Sequence, residues 1–272
     1  AEKSNTTQHL SEFWMLEPEM LHADLPVLLS LCEGTVKAGI RAVVGERHRQ
    51  DLHVLSSFMG KEQNENALQK CLDSAFVRMT YTEAIALLHS ISRFKTLDFE
   101  GDLHPHSNWT LPPKDEWEAI IKKGKKLSRR TWGDDLAREH ERFLCEVLFS
   151  GTPVFVTHYP DAIKPFYMRS DYEDSPDDEK KTVACMDLLM PGVGEVAGGS
   201  VREERLEVLL RRAEEKGIDP TGYDWYINLR RYGSTPHGGF GVGFDRLTQY
   251  ITSVPNIRDV VPLPRHYQSC SF

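Results

Sequence analysis

A glycine-rich segment near the end of the chain sets the strongest limit on how this sequence can fold. Residues 237–246 read HGGFGVGFDR, so four of the first seven positions carry no side chain. Glycine weakens a strand interior and typically marks a place where a ligand or another backbone approaches closely. We therefore predict a strand over residues 235–244 with a flat face for a planar ring, followed by a helix over about 245–253. Arg246 would project from the first turn of that helix.

The rest of the pattern predicts an α+β fold, with a mostly antiparallel sheet flanked by helices. Closely spaced short strands that do not alternate regularly with helices favour antiparallel pairing. The sequence TYTE at 80–83 is a capping-box pattern, so a further helix begins after Thr80 or Thr82. Strand-like runs occupy residues 9–19, 153–157, 166–168 and 183–189, and helical periodicity covers 22–38, with Asp24 as its N-cap, and 202–216. We expect another helix to begin at Asp134 or Asp135, and we expect the acidic, polar residues 170–181 to form a hairpin loop.

Residues 93–131 and the overall charge bear on whether a nucleic acid is a partner. We interpret this stretch as an exposed surface insertion, and the basic run KKGKK at 122–126 as a solvated face rather than an RNA site. The formal net charge is −8, whereas a domain that holds nucleic acid by itself is usually basic. An RNA partner would therefore need a local basic patch or a further module.

The composition argues against two other classes of protein. No window approaches the ~18 uninterrupted apolar residues of a membrane span, so no membrane partner is predicted. The five cysteines are scattered and form no CxxC pair. This usage favours reduced thiols in the cytoplasm or the mitochondrial matrix over a secreted domain held together by disulfides.

Two carboxylates at 187 and 195 form a candidate metal site. Asp187 lies in an otherwise apolar run, where a lone carboxylate is costly unless it is paired or bound to a metal. Glu195 follows a Pro-Gly turn, so two adjacent strands would bring both carboxylates together. Such oxygen ligands suit Mg²⁺, which usually takes one or two carboxylates plus substrate phosphates. Two structural acids beside turn residues are the alternative interpretation.

A third polar group stands at the start of the chain. A short loop that returns into the strand at 9–19 would place Glu2, His9 and Glu12 near one surface. A frayed terminus followed by a surface strand is the alternative interpretation of the same residues.

Together these segments resemble the catalytic core of the class II aminoacyl-tRNA synthetases, in the subgroup for aspartate, asparagine and lysine. GGFGVGFDR is similar to the third motif of that family, and HLSEFWMLEPEM is similar to the returning strand of its second motif. Further stretches, among them TYTEAI, WGDDLAREHERFL, KPFYMR and MDLLMPGVGE, resemble the asparaginyl-tRNA synthetases in particular.

The resemblance implies a two-step reaction on a dimeric enzyme. ATP and Mg²⁺ convert asparagine to asparaginyl-adenylate, and the asparaginyl group then passes to tRNA(Asn). It also implies a role for each matching residue. Asp187 and Glu195 would hold Mg²⁺. Arg246 and Glu195 would be catalytic. Arg202, helped by Glu12, would bind the asparagine side chain. The ATP-binding residues would be Glu2, His9, Phe240, Gly241, Gly243 and Arg246.

The sequence also departs from the family pattern. The Phe-Arg that begins the second motif, the first motif and the anticodon-binding barrel are all missing, and Gln8 stands where the family usually has arginine. We therefore expect residues 1–272 to be a catalytic domain cut off upstream and inactive, or nearly so, by itself. The alternatives are a paralogue that makes free asparagine, an aspartyl-tRNA synthetase, and a non-catalytic interaction protein.

Overall fold

A mixed sheet of seven strands organises the part of the chain that the computed structural model describes, residues 6–60, 64–171 and 180–269. Strands β3 and β4 run parallel, and the other pairs are antiparallel, which confirms the predicted α+β class. The order is β1-β7-β6-β5-β4-β3, and β2 also pairs with β7. The strands are β1 Met15–Leu16, β2 Glu19–Leu21, β3 Val77–Thr80, β4 Val154–Thr157, β5 Cys185–Met190, β6 Gly194–Val201 and β7 His237–Gly243.

Helices cover both faces of the sheet. The α-helices are α1 Leu25–Val44, α2 Glu46–Phe58, α3 Asn64–Asp73, α4 Tyr81–His89, α5 Trp117–Gly124, α6 Arg138–Arg142, α7 Leu206–Glu215, α8 Asp224–Arg231 and α9 Phe244–Thr252. Helices α1, α2, α3 and α9 contribute to one hydrophobic core, and α4, α5 and the π-helical turn Phe143–Leu148 that follows α6 contribute to a second. No helix of the described ranges is long and apolar enough to cross a membrane.

Local capping chemistry explains where two of the helices begin. The Asp24 carboxylate accepts a hydrogen bond of 3.0 Å from the Val27 amide, so α1 begins directly after it. Thr80 and Glu83 form a complete capping box, in which each side chain accepts from the other residue's amide at 3.2 and 2.8 Å. Thr80, rather than Thr82, is therefore the residue that starts α4.

Several predicted boundaries differ from the structure. The strand expected over residues 9–19 is reduced to β1 and β2, which Pro18 separates, since proline has no N–H for the sheet. Residues 166–168 form only an isolated bridge, between Met168 and Arg202. The helix expected from about residue 134 begins at Arg138 and continues as a π-helical turn, Phe143–Leu148. The predicted acidic loop after Ser170 falls mostly on residues 172–179, which lie outside the described ranges.

The segment 93–131 is more firmly packed than an exposed insertion. Its Leu97, Trp109 and Ile120 are buried in the second core. The Glu83 carboxylate, itself buried, accepts hydrogen bonds from the His104 amide at 2.7 Å and from Trp109 Nε1 at 3.0 Å. Several large apolar residues of the segment are therefore packed in the core, whereas Phe94 and Leu103 are exposed.

Candidate active site

The neighbouring strands β6 and β7 form the floor of a cleft. Larger side chains would have no room at several of their glycines. A Cβ on Gly199 would lie 2.5 Å from the Cβ of Phe240 and 2.6 Å from the carbonyl oxygen of Gly239. A Cβ on Gly239 would overlap the Glu19 carboxylate, and a Cβ on Gly241 would overlap the Met15 side chain. These contacts explain physically why the sequence has glycine where the flat strand face was predicted.

Two hollows on this floor join to form one cleft. They share Met15, Glu195, Gly198 and Gly241 as lining residues. The first has a volume of about 300 Å³, and the second about 580 Å³. Of the predicted residues, the first hollow contains His9, Glu195, Gly241, Gly243 and Arg246, and the second contains Asp187, Glu195, Arg202, Phe240 and Gly241.

The structure therefore brings together most of the residues predicted for the ATP, metal and amino-acid sites. Glu2, predicted for the adenine end, lies outside the described residues. Gln8, the departure from the family pattern, is buried in the wall of the first hollow, where its Nε2 donates to the carbonyl of Pro255.

The two predicted metal ligands flank the same glycine. An ideal Cβ on Gly198 would lie 3.1 Å from Glu195 Oε1 and 3.4 Å from Asp187 Oδ1. Burial, followed by the negative charge of Asp187, raises the pKa of Glu195 to about 7, although the charges of Arg246 and Lys164 oppose the shift. The two carboxylates therefore repel each other when both are ionised, and a bound cation would reduce this repulsion.

Two cationic side chains lie against this acid pair. Lys164 Nζ donates a hydrogen bond of 2.6 Å to Asp187 Oδ2 and lies 4.0 Å from the Tyr159 ring centroid. Arg246 Nη1 donates to the main-chain carbonyl of Glu195 at 2.6 Å, so its guanidinium is fixed over the first hollow. Positive and negative groups thus alternate across the cleft floor, which suits a polyphosphate together with its counter-ion.

The donor chemistry of this pair is compatible with Mg²⁺. In the described ranges no group of three or more His, Cys, Asp or Glu side chains could enclose a metal by itself. Two carboxylates are nevertheless sufficient for Mg²⁺ when phosphate oxygens and water complete its octahedral shell. Asp187 and Glu195 therefore fit a cation that is shared with a bound phosphate.

Glu12, predicted to help Arg202 bind the asparagine side chain, does not lie beside Arg202 in the structure. Arg202 donates from Nε and Nη2 to the two carboxylate oxygens of Glu19, at 2.9 and 3.1 Å. Glu12 instead forms a 2.7 Å ion pair with Arg265 and is largely exposed. The physical reason is the break at Pro18, which places Glu19 on β2 opposite Gly239, whereas Glu12 precedes both strands.

Sequence reasoning missed several residues that line or adjoin the cleft. Glu141 is one of them: its Oε2 would lie 3.2 Å from a Cβ on Gly194, and burial followed by the charge of Glu195 raises its pKa to about 7. Glu141 and Lys164 both fall in stretches that resemble the family, WGDDLAREHERFL and KPFYMR, so a signal was present. The other missed lining residues are Phe13, Glu17 and Glu19.

Tyr167 and His140 lie in different environments. Tyr167 lines the second hollow, where the Arg202 guanidinium lies 5.6 Å from its ring. His140 is fully buried, and its Nε2 donates to the carbonyl of Ser128 at 2.8 Å.

The cleft therefore joins two groups of polar side chains on one sheet. His9 and Arg246 line the first hollow, Asp187, Arg202 and Glu19 line the second, and Glu195 lines both. The chain belongs to the class II tRNA synthetases (D, K and N), whose family model matches residues 1–267.

Within that family the chain is similar to several asparagine enzymes. The chain is 43% identical over 272 residues to the asparagine–tRNA ligase of Vibrio cholerae serotype O1, covering all of this chain and 50% of that protein. It is also similar to two solved structures of enzymes in complex with asparaginyl-adenylate. For asparaginyl-tRNA synthetase from Pyrococcus horikoshii the TM-score is 0.74, the identity 32%, and the coverage 99% of this chain and 51% of that one.

For asparaginyl-tRNA synthetase from Entamoeba histolytica the TM-score is 0.70, the identity 28%, and the coverage 99% of this chain and 51% of the other. The chain thus spans about half the length of the curated relatives that it matches.

Proposed function

We propose that the protein containing this chain activates asparagine with ATP to form asparaginyl-adenylate and transfers the asparaginyl group to tRNA(Asn). The observation that carries the proposal is the convergence of Asp187, Glu195 and Arg246 with the Arg202–Glu19 pair in one continuous cleft. Relatives at 43% identity that are named asparagine–tRNA ligases support the same assignment.

The nucleotide end of the cleft aligns ATP rather than supplying acid–base chemistry. Arg246 and His9 face the first hollow and bind the phosphates of ATP, and the bare face of β7 with Phe13 accommodates the planar base. Asp187 and Glu195 would hold Mg²⁺, which supplies neutralisation of phosphate charge when it is bound. Alignment and charge stabilisation are the main sources of rate enhancement in such an arrangement.

The other end of the cleft favours a neutral amide over a carboxylate. Arg202 donates to the carbonyl of the asparagine side chain, and Glu19 accepts from its NH₂ group. Glu19 would repel the carboxylate of aspartate, and such a repulsive element is an efficient way to reject a near-isosteric competitor. The missed residue Glu19 therefore takes the role that sequence analysis gave to Glu12.

The remaining partners follow from the family and the length of the chain. We propose that the full protein is a homodimer that uses Mg²⁺. We also propose that residues 1–272 are its catalytic domain and need segments outside this sequence for activity. These segments would supply the arginine of the second motif and the module that binds the anticodon.

The proposal is tested by amino-acid-dependent ATP–pyrophosphate exchange on the full-length protein, with each of the twenty amino acids in turn. We expect exchange with asparagine alone, and no exchange in an Arg246→Ala variant, since the triphosphate loses its fixed guanidinium. Arg265→Ala, which removes an exposed arginine that pairs with Glu12, is the matched control and should keep wild-type exchange.

Exchange that requires aspartate would contradict the proposal and indicate an aspartyl-tRNA synthetase. Production of free asparagine from aspartate and ammonia would contradict it in favour of the synthetase paralogue. Full exchange in Arg246→Ala would remove the third motif from the site.

A further inference from the structure

Residues 122–130 carry an unusual concentration of positive charge for this chain. Six of these nine residues are lysine or arginine, and no acidic residue occurs between Glu118 and Asp134, although the whole chain has a net charge of −8. We call residues 122–130 the basic segment. The basic residues are Lys122, Lys123, Lys125, Lys126, Arg129 and Arg130.

The packing of α5 turns the lysines of the basic segment towards solvent. A Cβ on Gly124 would overlap Ile91 and lie 3.0 Å from Phe143 Cζ, so α5 is pressed against the core at this glycine. The two lysines on each side of it are exposed. In the described part of the chain none of these four lysines forms an ion pair or a side-chain hydrogen bond. Lys123 lines a shallow hollow with Asp115, Glu116 and Glu146, so the charge most available to a partner is that of Lys122, Lys125 and Lys126.

The basic segment is held in one position by its C-terminal half. The Ser128 amide donates to Glu139 Oε1 at 3.0 Å, and its carbonyl accepts from the buried His140 at 2.8 Å. Both partners lie on α6, the helix that also carries Glu141 beside the cleft. A surface that is fixed in this way offers a defined array of charges rather than a flexible tail.

A short path of side chains connects the basic segment to the acid pair of the cleft. Trp132, two residues beyond the segment, lies 6.2 Å from the Tyr81 ring, which lies 5.2 Å from the Tyr159 ring. The Lys164 ammonium is 4.0 Å from the Tyr159 ring and bonds to Asp187. The residues that directly follow the basic segment are therefore connected through packed rings to the place where the proposed adenylate would form.

A third hollow, of about 790 Å³, lies on this path. Its lining includes Trp132, Gly133, Lys164, Lys181 and Lys216, together with Asp161 and Glu215. The Lys164 ammonium bonds to Asp187, and the Lys216 ammonium donates to the carbonyl of Asp161 at 2.6 Å. Lys164 also lines the amino-acid end of the cleft, so the two spaces adjoin. Lysine ammonium groups beside an indole are the combination that holds single-stranded nucleic acid, through phosphates and base stacking.

We propose that the basic segment and the hollow at Trp132 form the docking surface for the acceptor end of an RNA substrate, with the lysines on its phosphates and its unpaired 3′ end in the hollow. The proposal rests on the proposed function, in which an RNA must deliver its terminal ribose to the cleft. It replaces the interpretation of 122–126 as a solvated face. It also explains how a chain with a negative net charge could bind RNA, because the positive charge needed for the phosphates is concentrated in the basic segment.

The inference is tested on the 272-residue chain by fluorescence anisotropy at several KCl concentrations. The probe is a labelled RNA hairpin with a four-nucleotide single-stranded 3′ tail. The test variant carries Lys122→Gln, Lys123→Gln, Lys125→Gln and Lys126→Gln. We expect its Kd to rise at least tenfold at low salt. The slope of log affinity against log salt should become shallower by about 0.7–0.9 for each phosphate that the variant no longer neutralises.

The matched control removes four positive charges from the helices of the first core. It carries Arg41→Gln, Arg47→Gln, Arg49→Gln and Lys70→Gln, so its net charge equals that of the test variant. We expect a Kd within about twofold of the wild type and an unchanged salt slope, since these residues contact no RNA. Unfolding temperatures of both variants confirm that each is folded at the assay temperature.

Three results would overturn the inference. One is a wild-type Kd and slope for the test variant, and another is an equally weakened affinity in the control. The third is equal wild-type affinity for the hairpin with and without its 3′ tail, since the hollow would then hold no single strand. The binding assay uses neither ATP nor asparagine, whereas pyrophosphate exchange uses no RNA. Failure of the docking surface is therefore distinguishable from failure of the proposed function.

Discussion

At the scale of single residues, amino-acid selection depends on which glutamate is hydrogen-bonded to Arg202. Glu19 holds the guanidinium with two hydrogen bonds, whereas Glu12 forms an exposed ion pair with Arg265. A charge-assisted hydrogen bond contributes about 1.5–3 kcal/mol, whereas an exposed ion pair contributes about 0–1 kcal/mol. The two glutamates are therefore a natural pair of test and control positions.

We expect Glu19→Gln in the full-length protein to raise the KM for asparagine by about 10- to 150-fold, the range that corresponds to one charge-assisted hydrogen bond. The preference for asparagine over aspartate should fall as well, because the repulsive charge is gone. Glu12→Gln should change both quantities by less than about threefold. The measurement is pyrophosphate exchange at varied asparagine and aspartate. A larger effect at Glu12 than at Glu19 would contradict the assignment.

The environment of a single residue could be predicted from the sequence where its neighbours along the chain determine it. It could not be predicted where the interaction partner is distant in the sequence. The lack of side chains along β7 follows directly from HGGFGVG, and Asp187 is conspicuous because it interrupts an apolar run. The partner of Arg202 depends on the register between β2 and β7, which joins residues more than 200 positions apart. No local pattern distinguishes Glu12 from Glu19, so that pairing required the structure.

The position of helix α5, at the scale of elements, depends on one glycine. Gly124 faces Ile91 and Phe143 so closely that an added Cβ would overlap the former. We expect Gly124→Ala to lower the free energy of unfolding by about 1–3 kcal/mol, the usual cost of overpacking a core. The measurement is urea unfolding of the 272-residue chain, followed by circular dichroism.

Gly34 provides the matched control for this prediction. It lies inside α1 with nothing within 4 Å of an added Cβ. Because glycine costs a helix about 0.5–1 kcal/mol relative to alanine, Gly34→Ala should stabilise the chain by that amount. A Gly124→Ala variant that is as stable as the wild type would show that α5 moves without cost, and that the lysines beside it have no fixed position.

Elements with local signals were predicted well, and elements defined by tertiary packing were not. The Thr80 capping box and the Asp24 cap are contained within four residues each, so the beginnings of α4 and α1 lie within three residues of the predicted ones. The end of α1, which no local signal marks, lies six residues beyond the predicted one. The run FYM at 166–168 has strand propensity but finds only one bridge, because β6 already pairs with β5 and β7 along its length. Propensity therefore identified extended backbone there without identifying a strand.

The whole molecule combines an acidic net charge with a fold that keeps several ionisable groups out of water. His158 is the clearest case, because burial, followed by the charges of His104 and His106, lowers its pKa from 6.5 to about 3. Its ring lies 4.5 Å from that of His104, and its Nδ1 hydrogen-bonds the Thr157 hydroxyl at 2.8 Å. Burial also lowers the pKa of His104, and the negative charge of Glu83 partly opposes this shift. The folded chain therefore holds His158 neutral at pH values where the unfolded chain protonates it.

The sign of the resulting pH dependence follows from linkage. A histidine whose pKa is lower in the folded state stabilises fully above its unfolded value of 6.5, and this contribution is lost as the pH falls towards the folded value of about 3. We expect the chain to lose about 2 kcal/mol of unfolding free energy between pH 7.5 and pH 5 through this residue, measured by urea unfolding.

His158→Asn should remove that part of the loss, since asparagine does not titrate and tolerates the φ of 54° at this position. His53→Asn, at an exposed position on α2, should leave the wild-type pH dependence intact. If His158→Asn loses as much stability as the wild type between pH 7.5 and pH 5, His158 is not the cause of the acid sensitivity of the fold.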